Sequence, residues 1–117
     1  MNELERLERT TRLWHVENAA TSILTSAAGR TFDDLVSGAD FRDAIERRLI
    51  TIGEAVSRAL EVDANLPNRI TDVEGIIGLR NQLVHNYPRI NPAIVWEIIT
   101  IDLPLLLAEV RTLLAEP

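Results

Sequence analysis

Asp40-Phe41-Arg42-Asp43-Ala44-Ile45-Glu46-Arg47-Arg48-Leu49-Ile50-Thr51-Ile52-Gly53-Glu54-Ala55-Val56-Ser57-Arg58-Ala59-Leu60 is the stretch on which the fold turns. Phe41, Ile45, Leu49, Ile52, Val56, Ala59 and Leu60 recur at steps of three and four. That spacing gathers side chains on one face of an α-helix. The period-two alternation of a half-buried strand is sustained nowhere in the chain. The pattern predicts a long helix from Asp40 to about Ala64. Arg47, Glu54, Arg58 and Glu61 fall on another face and read as a solvated, salt-bridged stripe that adds little stability. Gly53 interrupts the helix, where glycine costs about 1 kcal/mol relative to alanine. It marks either a close helix approach or neutral drift.

Working outward, Leu4 to Ala28 reads as a first helix. Leu4, Leu7, Trp14, Asn18 and Ile23 lie roughly on helical spacing, with Val16, Ala20 and Leu24 beside them and Gly29 as C-terminal punctuation. Thr31 caps a short helix running to about Ser37. Asn65-Leu66-Pro67-Asn68 reads as a loop, and Thr71 as the cap of a helix over Asp72 to Val84. Gly75 and Gly78, three apart on that helix, suggest that another backbone approaches there. Asn91 with Pro92 starts the next helix, whose apolar face is Ile94, Val95, Ile98 and Ile99. Pro104 is expected to end or kink it. Leu105, Leu106, Leu107, Val110, Leu113 and Leu114 carry a last helix, apolar on more than one side. The expectation is an all-α single domain over residues 1–117: a bundle of four main helices plus short ones.

At 117 residues and 46% hydrophobic the chain can bury a core, and without cysteine it has neither disulfides nor thiolate metal ligands. No apolar run reaches the roughly 20 residues of a membrane span. The start, Met1-Asn2-Glu3-Leu4-Glu5-Arg6, carries charges of both signs, unlike a signal peptide. A soluble, cytoplasmic protein is the expectation. The net charge of −6 argues against a general nucleic-acid coat. All twelve basic residues are arginine, most simply a composition bias of the genome. Between Pro67 and Arg89 three arginines face two carboxylates, so that region is locally positive.

The two histidines differ. His15 has no acidic or nucleophilic pattern around it and reads as a structural or surface histidine. His85 belongs to Arg80-Asn81-Gln82-Leu83-Val84-His85-Asn86-Tyr87. Asn81 precedes it by four residues, so both share a helix face and the amide can orient the imidazole. Arg80 precedes it by five, which turns the two about 140° apart on an ideal helix. They meet if the helix loosens at its end, if the arginine reaches round, or if a two-fold dimer faces two copies across one cleft. RNA cleavage would use these groups. A 2′-hydroxyl loses a proton as it attacks phosphorus, histidine handles protons near neutrality, and an arginine fork meets phosphoryl charge. No cluster at metal-ligand spacing, P-loop or Gly-x-Ser-x-Gly is present. Residue chemistry alone leaves packing and capping at a helix end equally open.

At this motif the chain resembles the HepT-like toxins of the HEPN superfamily, whose signature Arg-x4-His-x-Tyr matches Arg80, His85 and Tyr87. Gly29-Arg30-Thr31-Phe32, the run from Arg47 to Ala55, and Ile90 through Trp96 followed by Asp102-Leu103-Pro104 extend the resemblance over nearly the whole chain. Val73 and Glu74 stand in the region where many relatives carry a tryptophan. The resemblance implies a HEPN-like bundle that forms a homodimer with the motif at a shared cleft. It implies a metal-independent endoribonuclease without cofactor, the toxin of a type II toxin–antitoxin pair. Arg80 and His85 would be catalytic with Asn81 beside them, and a minimal nucleotidyltransferase antitoxin would inactivate the toxin by transferring AMP to Tyr87. The alternative is a non-catalytic helical dimer that binds nucleotide or serves as partner of a nucleotidyltransferase.

Overall fold

The computed structural model describes residues 1–85 and 89–117. Among these the chain is all-helical: α1 (Glu3–Ala27), α2 (Phe32–Ser37), α3 (Ala39–Val62), a 3-10 turn (Leu66–Asn68), α4 (Val73–Val84), α5 (Pro92–Glu97), a wide π turn (Ile98–Asp102) and α6 (Leu103–Ala115). The four long helical runs expected from the sequence are all there. α3 is the central element, packed between α1 and α4, and α6 closes against α1. No described helix is long and apolar enough to cross a membrane.

α3 buries Phe41, Ile45, Leu49, Ile52, Val56 and Ala59, the stripe read from the sequence. On α1 the expected seam holds at Val16, Ala20 and Ile23 and fails toward the N-terminus. Leu13, Val16, Ala20, Ile23 and Ala27 are buried, whereas Leu4, Leu7 and Trp14 are 78%, 61% and 52% exposed. α1 carries two apolar stripes of the same three–four rhythm, offset by one residue or about 100°. The stripe that docks is the one flanked by the small side chains Ala19, Ala20 and Ala27, which let α3 come close. Its N-terminal continuation is polar: Arg9 Nη1 donates to Asp63 Oδ2 at 2.8 Å, and Asp63 Oδ1 also accepts from the Asn65 backbone N–H. That half-hidden pair staples the start of α1 to the end of α3.

The helix ends follow local chemistry. Thr31 and Asp34 form a reciprocal capping box at α2, and Gly29 leaves α1 at φ +76°. Phe32 meets Trp96 edge-on at 6.4 Å between ring centres, and the Arg30 guanidinium lies 4.4 Å above the Phe41 ring. The cap of α4 is Asp72, not Thr71. Asp72 sits at φ +59° and accepts from the Gly75 N–H, while Thr71 turns away and donates through N–H and hydroxyl to Glu109 of α6. Asn91 caps α5 with Pro92 behind it, as expected.

Pro104 neither ends nor sharply breaks its helix. Its ring would strike the carbonyl four residues back in an α-helix. The backbone widens instead, so that Leu103 N–H donates to Ile98 C=O across five residues, and helical angles persist from Ile98 through Leu103. A π turn of this kind absorbs the proline and keeps α5 and α6 in one run.

The closest helix approach lies at Gly53. A Cβ built there would stand 2.2 Å from Arg80 Cβ and 3.2 Å from the Ile76 carbonyl oxygen. Gly53 therefore admits α4. Gly75 and Gly78 do not receive another backbone: Gly78 has open space, and Gly75 faces only the Asp72 carboxylate that caps its own helix.

Two stability predictions follow from this packing. Gly53→Ala gains about 1 kcal/mol of helix propensity but forces α4 outward at a backbone-lined contact, an overpacking cost of about 1–3 kcal/mol. A net fall in the urea midpoint is expected; an unchanged or higher midpoint would contradict the close approach. Asp63→Ala leaves the Arg9 guanidinium without its partner, an expected loss of about 2–3 kcal/mol, also read by urea denaturation.

Candidate active site

α4 is a surface helix with one face down. Val73 is buried, Ile76, Ile77, Leu79 and Leu83 are half-buried, and Asn81, Gln82, Val84 and His85 are exposed. The motif thus lies on the outward side of the element that Gly53 lets settle onto α3. Arg80 straddles this boundary. Its stem lies against Gly53, and its Nε is buried with no hydrogen-bond partner among the described residues. Its Nη1 donates to Asn81 Oδ1 at 3.1 Å and its Nη2 to Glu54 Oε1 at 3.4 Å.

These bonds change one expectation. The Asn81 side-chain oxygen accepts from Arg80, its neighbour in sequence, and so holds the guanidinium rather than the imidazole. His85 is the C-cap of α4. Its N–H still bonds the Asn81 carbonyl at 3.1 Å, but its backbone has left the helical region at φ −89°, ψ +18°. It stands exposed at the helix end, about 7.5 Å along the axis from Arg80 by the rise of five residues. Arg80 and Asn81 are brought together; His85 lies beyond them. Tyr87, with Asn86 and Pro88, lies outside the described residues. Where description resumes, Arg89 pairs with Asp43 of α3 at 2.5 Å, which ties the far side of the motif back to the bundle.

Arg80 and Asn81 line a polar groove of about 580 Å³ in which α1 and α3 also take part. α1 contributes Arg12 and His15. α3 contributes Thr51, Glu54, Arg58 and Glu61. Three guanidiniums and an imidazole thus share the groove with two carboxylates, on a chain whose net charge is −6. Sequence reasoning missed Arg12 and His15. The three-residue step between them places them on one face of α1, but only the packing of α1 on α3 brings that face beside the motif. A second groove, of about 510 Å³, lies on the other side of α4 between Ile76 and Leu79 and the π turn. It is mainly apolar, its rim is acidic through Asp72, Glu97, Asp102 and Glu109, and it contains neither Arg80 nor His85. Of the two grooves the polar one contains Arg80, and His85 lines neither. Among the described residues no three His, Asp or Glu side chains are placed to hold a metal ion.

A family model described as Ribonuclease HepT-like matches residues 3–113. The chain belongs to this family. A relative from Caldanaerobacter subterraneus subsp. tengcongensis, named "Putative RNase", is 30% identical over 108 residues, covering 87% of this chain and 90% of its own length. Two Methanocaldococcus jannaschii proteins carry the same printed description. One is 31% identical over 74% of this chain and 70% of its own, the other 29% identical over 85% and 90%. No solved structure gives a significant match. The match to this ribonuclease family begins with α1 and ends within α6, so the Arg80–His85 segment lies inside the matched span.

The Arg80–Glu54 pair is half-exposed and long, a geometry worth at most about 1 kcal/mol. Glu54→Gln is therefore expected to shift the unfolding free energy by less than about 1 kcal/mol in urea melts. A larger loss would mean that Glu54 is structural rather than a displaceable counter-ion.

Proposed function

We propose that this protein is a metal-independent endoribonuclease and acts as the toxin of a type II toxin–antitoxin pair. Arg80 and His85 would be the catalytic pair, with Asn81 aiming the arginine. The observation that carries the reading is the Arg80–Asn81 pair, held beside a cationic groove and followed by an exposed His85, in a member of a ribonuclease family.

The chemistry divides between the two side chains. His85 takes the proton of the ribose 2′-hydroxyl as that oxygen attacks the adjacent phosphorus, and it returns a proton to the leaving 5′ oxygen. The P–O5′ bond breaks, leaving a 2′,3′-cyclic phosphate and a free 5′-hydroxyl. Negative charge grows on the two non-bridging oxygens during attack. A guanidinium presents two parallel donors to them, a better match than a monodentate Glu54 carboxylate at 3.4 Å. Substrate would therefore displace a weak ion pair. Nothing in this scheme needs a metal.

Arg80 lies in the groove while His85 stands at the helix end, and this separation supports a homodimer in which two copies of the motif face one cleft. Control would come from a partner nucleotidyltransferase that transfers AMP to Tyr87, placing an anionic group two residues from His85. The occupied position would repel the RNA backbone.

The reading is tested with purified protein, labelled RNA and EDTA. Arg80→Ala and His85→Ala should each lower cleavage by at least about a hundredfold with unchanged circular dichroism. Cleavage at the wild-type rate by either variant would overturn the assignment. Co-expression with a minimal nucleotidyltransferase encoded beside this chain's gene, if the source genome carries one, should add mass in AMP steps to wild type but not to Tyr87→Phe, which should remain active. If that partner still silences Tyr87→Phe, the tyrosine is not the switch.

A further inference from the structure

We infer that Arg12 and His15 of α1 and Arg58 of α3 form a phosphate-binding track. It would hold the single-stranded RNA backbone beside the cut, continuing from Arg80. The inference rests on the endoribonuclease reading for what is cut, but the track itself concerns binding.

Three observations carry it. First, the three side chains come from two helices and converge on one concave surface with Arg80 of a third. A solvated charge stripe on a single helix does not produce such convergence. Second, the cations are weakly engaged. Arg12 bonds Glu8 within its own helix at 2.8 Å, and Arg58 bonds Glu61 at 3.4 Å with both side chains 60% exposed. His15 is exposed and makes no hydrogen bond among the described residues. Exposed pairs such as Arg58–Glu61, and pairs four apart on one helix such as the part-buried Arg12–Glu8, contribute at most about 1 kcal/mol, so phosphate oxygens compete with them readily. Third, the lining has almost no apolar surface, Ile77 and Ala55 being the exceptions, and no Phe, Tyr or Trp ring. Grooves that read bases in single strands do so largely by stacking on aromatic side chains. A groove of arginines with a single imidazole and no large aromatic side chain meets the sugar–phosphate backbone and positions it. Its volume of about 580 Å³ is in the range of a ligand cleft.

The track therefore contributes affinity and register without base preference, and substrates too short to reach it should bind poorly. Arg12, His15 and Arg58 are binding residues; they take no part in proton transfer.

The test uses full-length protein and two measurements. Fluorescence anisotropy follows binding of a 2′-O-methyl RNA twelve-mer, which lacks the nucleophile, over a series of salt concentrations. Cleavage kinetics of the matching RNA give KM and kcat. Arg12→Gln and Arg58→Gln should each weaken binding by about tenfold and reduce the magnitude of the log–log salt slope by about 0.7, the increment for one phosphate contact on a single strand. KM should rise with kcat unchanged. His15→Gln should weaken binding severalfold. Arg111→Gln, which removes an exposed arginine paired with Glu17 outside the groove, should leave Kd and slope as in wild type. Arg58 is exposed, so its variant keeps the fold, and circular dichroism checks all four. If Arg12→Gln and Arg58→Gln retain the wild-type Kd and slope, the track is wrong, even where wild type cleaves RNA. If they lose affinity while wild type binds but never cleaves, the track stands and the endoribonuclease reading falls. If wild type neither binds nor cleaves RNA, both fall.

Discussion

The crossing of α3 and α4 at Gly53 is the contact on which the rest of the site depends. A hydrogen in place of a side chain there lets the Arg80 stem and the Ile76 carbonyl sit where any other residue would place its Cβ. Close approach has two results. It lays the arginine stem against α3, so that the guanidinium emerges beside Glu54. It also lowers α4 far enough for its outer face to share a groove with α1. A glycine in mid-helix is unfavourable for the helix taken alone. Here the loss is offset by packing, and the packing positions a charge.

Electrostatics explain how an acidic chain can face a polyanion. Net charge acts over distances that salt screens within about 8–10 Å. What matters at a phosphate is the local inventory, and the groove holds more cations than carboxylates. The carboxylates that are present, Glu54 and Glu61, make long, exposed pairs. Pairs of this length and exposure hold the arginines only loosely. The structural pair of the molecule, Arg9 with Asp63, is shorter and largely hidden, and it lies outside the groove lining.

The helix termini show a related division of labour. Reciprocal caps at Asn2 and Glu5 and at Thr31 and Asp34 fix the starts of α1 and α2. Among the described residues the end of α4 is closed by the His85 N–H bonded back to Asn81, and the His85 backbone has left the helical region. An imidazole at such a position is carried by the bundle without being packed into it. The Arg89–Asp43 pair then returns the chain to α3, so the motif is bracketed by anchored elements on both sides.

Much of this protein was decided by its sequence alone. Apolar steps of three and four fix which segments are helices, because that periodicity makes one face of a helix water-avoiding. Thr31, Gly29, Asn91 and Pro92 fix several ends, because their backbone and side-chain chemistry suits only those positions. The order of motifs identified the family, and Arg80, Asn81 and His85 were legible as a candidate site. Tertiary structure decided the choices that periodicity leaves equal. Two stripes on α1 differ by one residue, and only contact with α3 selects Leu13 and Val16 over Leu4, Leu7 and Trp14. Three glycines were candidates for close approach, and only Gly53 meets another helix. Asn81 holds Arg80, not His85, because the guanidinium is pinned beside it. Arg12 and His15 looked inert because their significance lies in neighbours about 65 residues away along the chain. Spacing along a helix is written locally, whereas the meeting of faces from three helices exists only once they have packed.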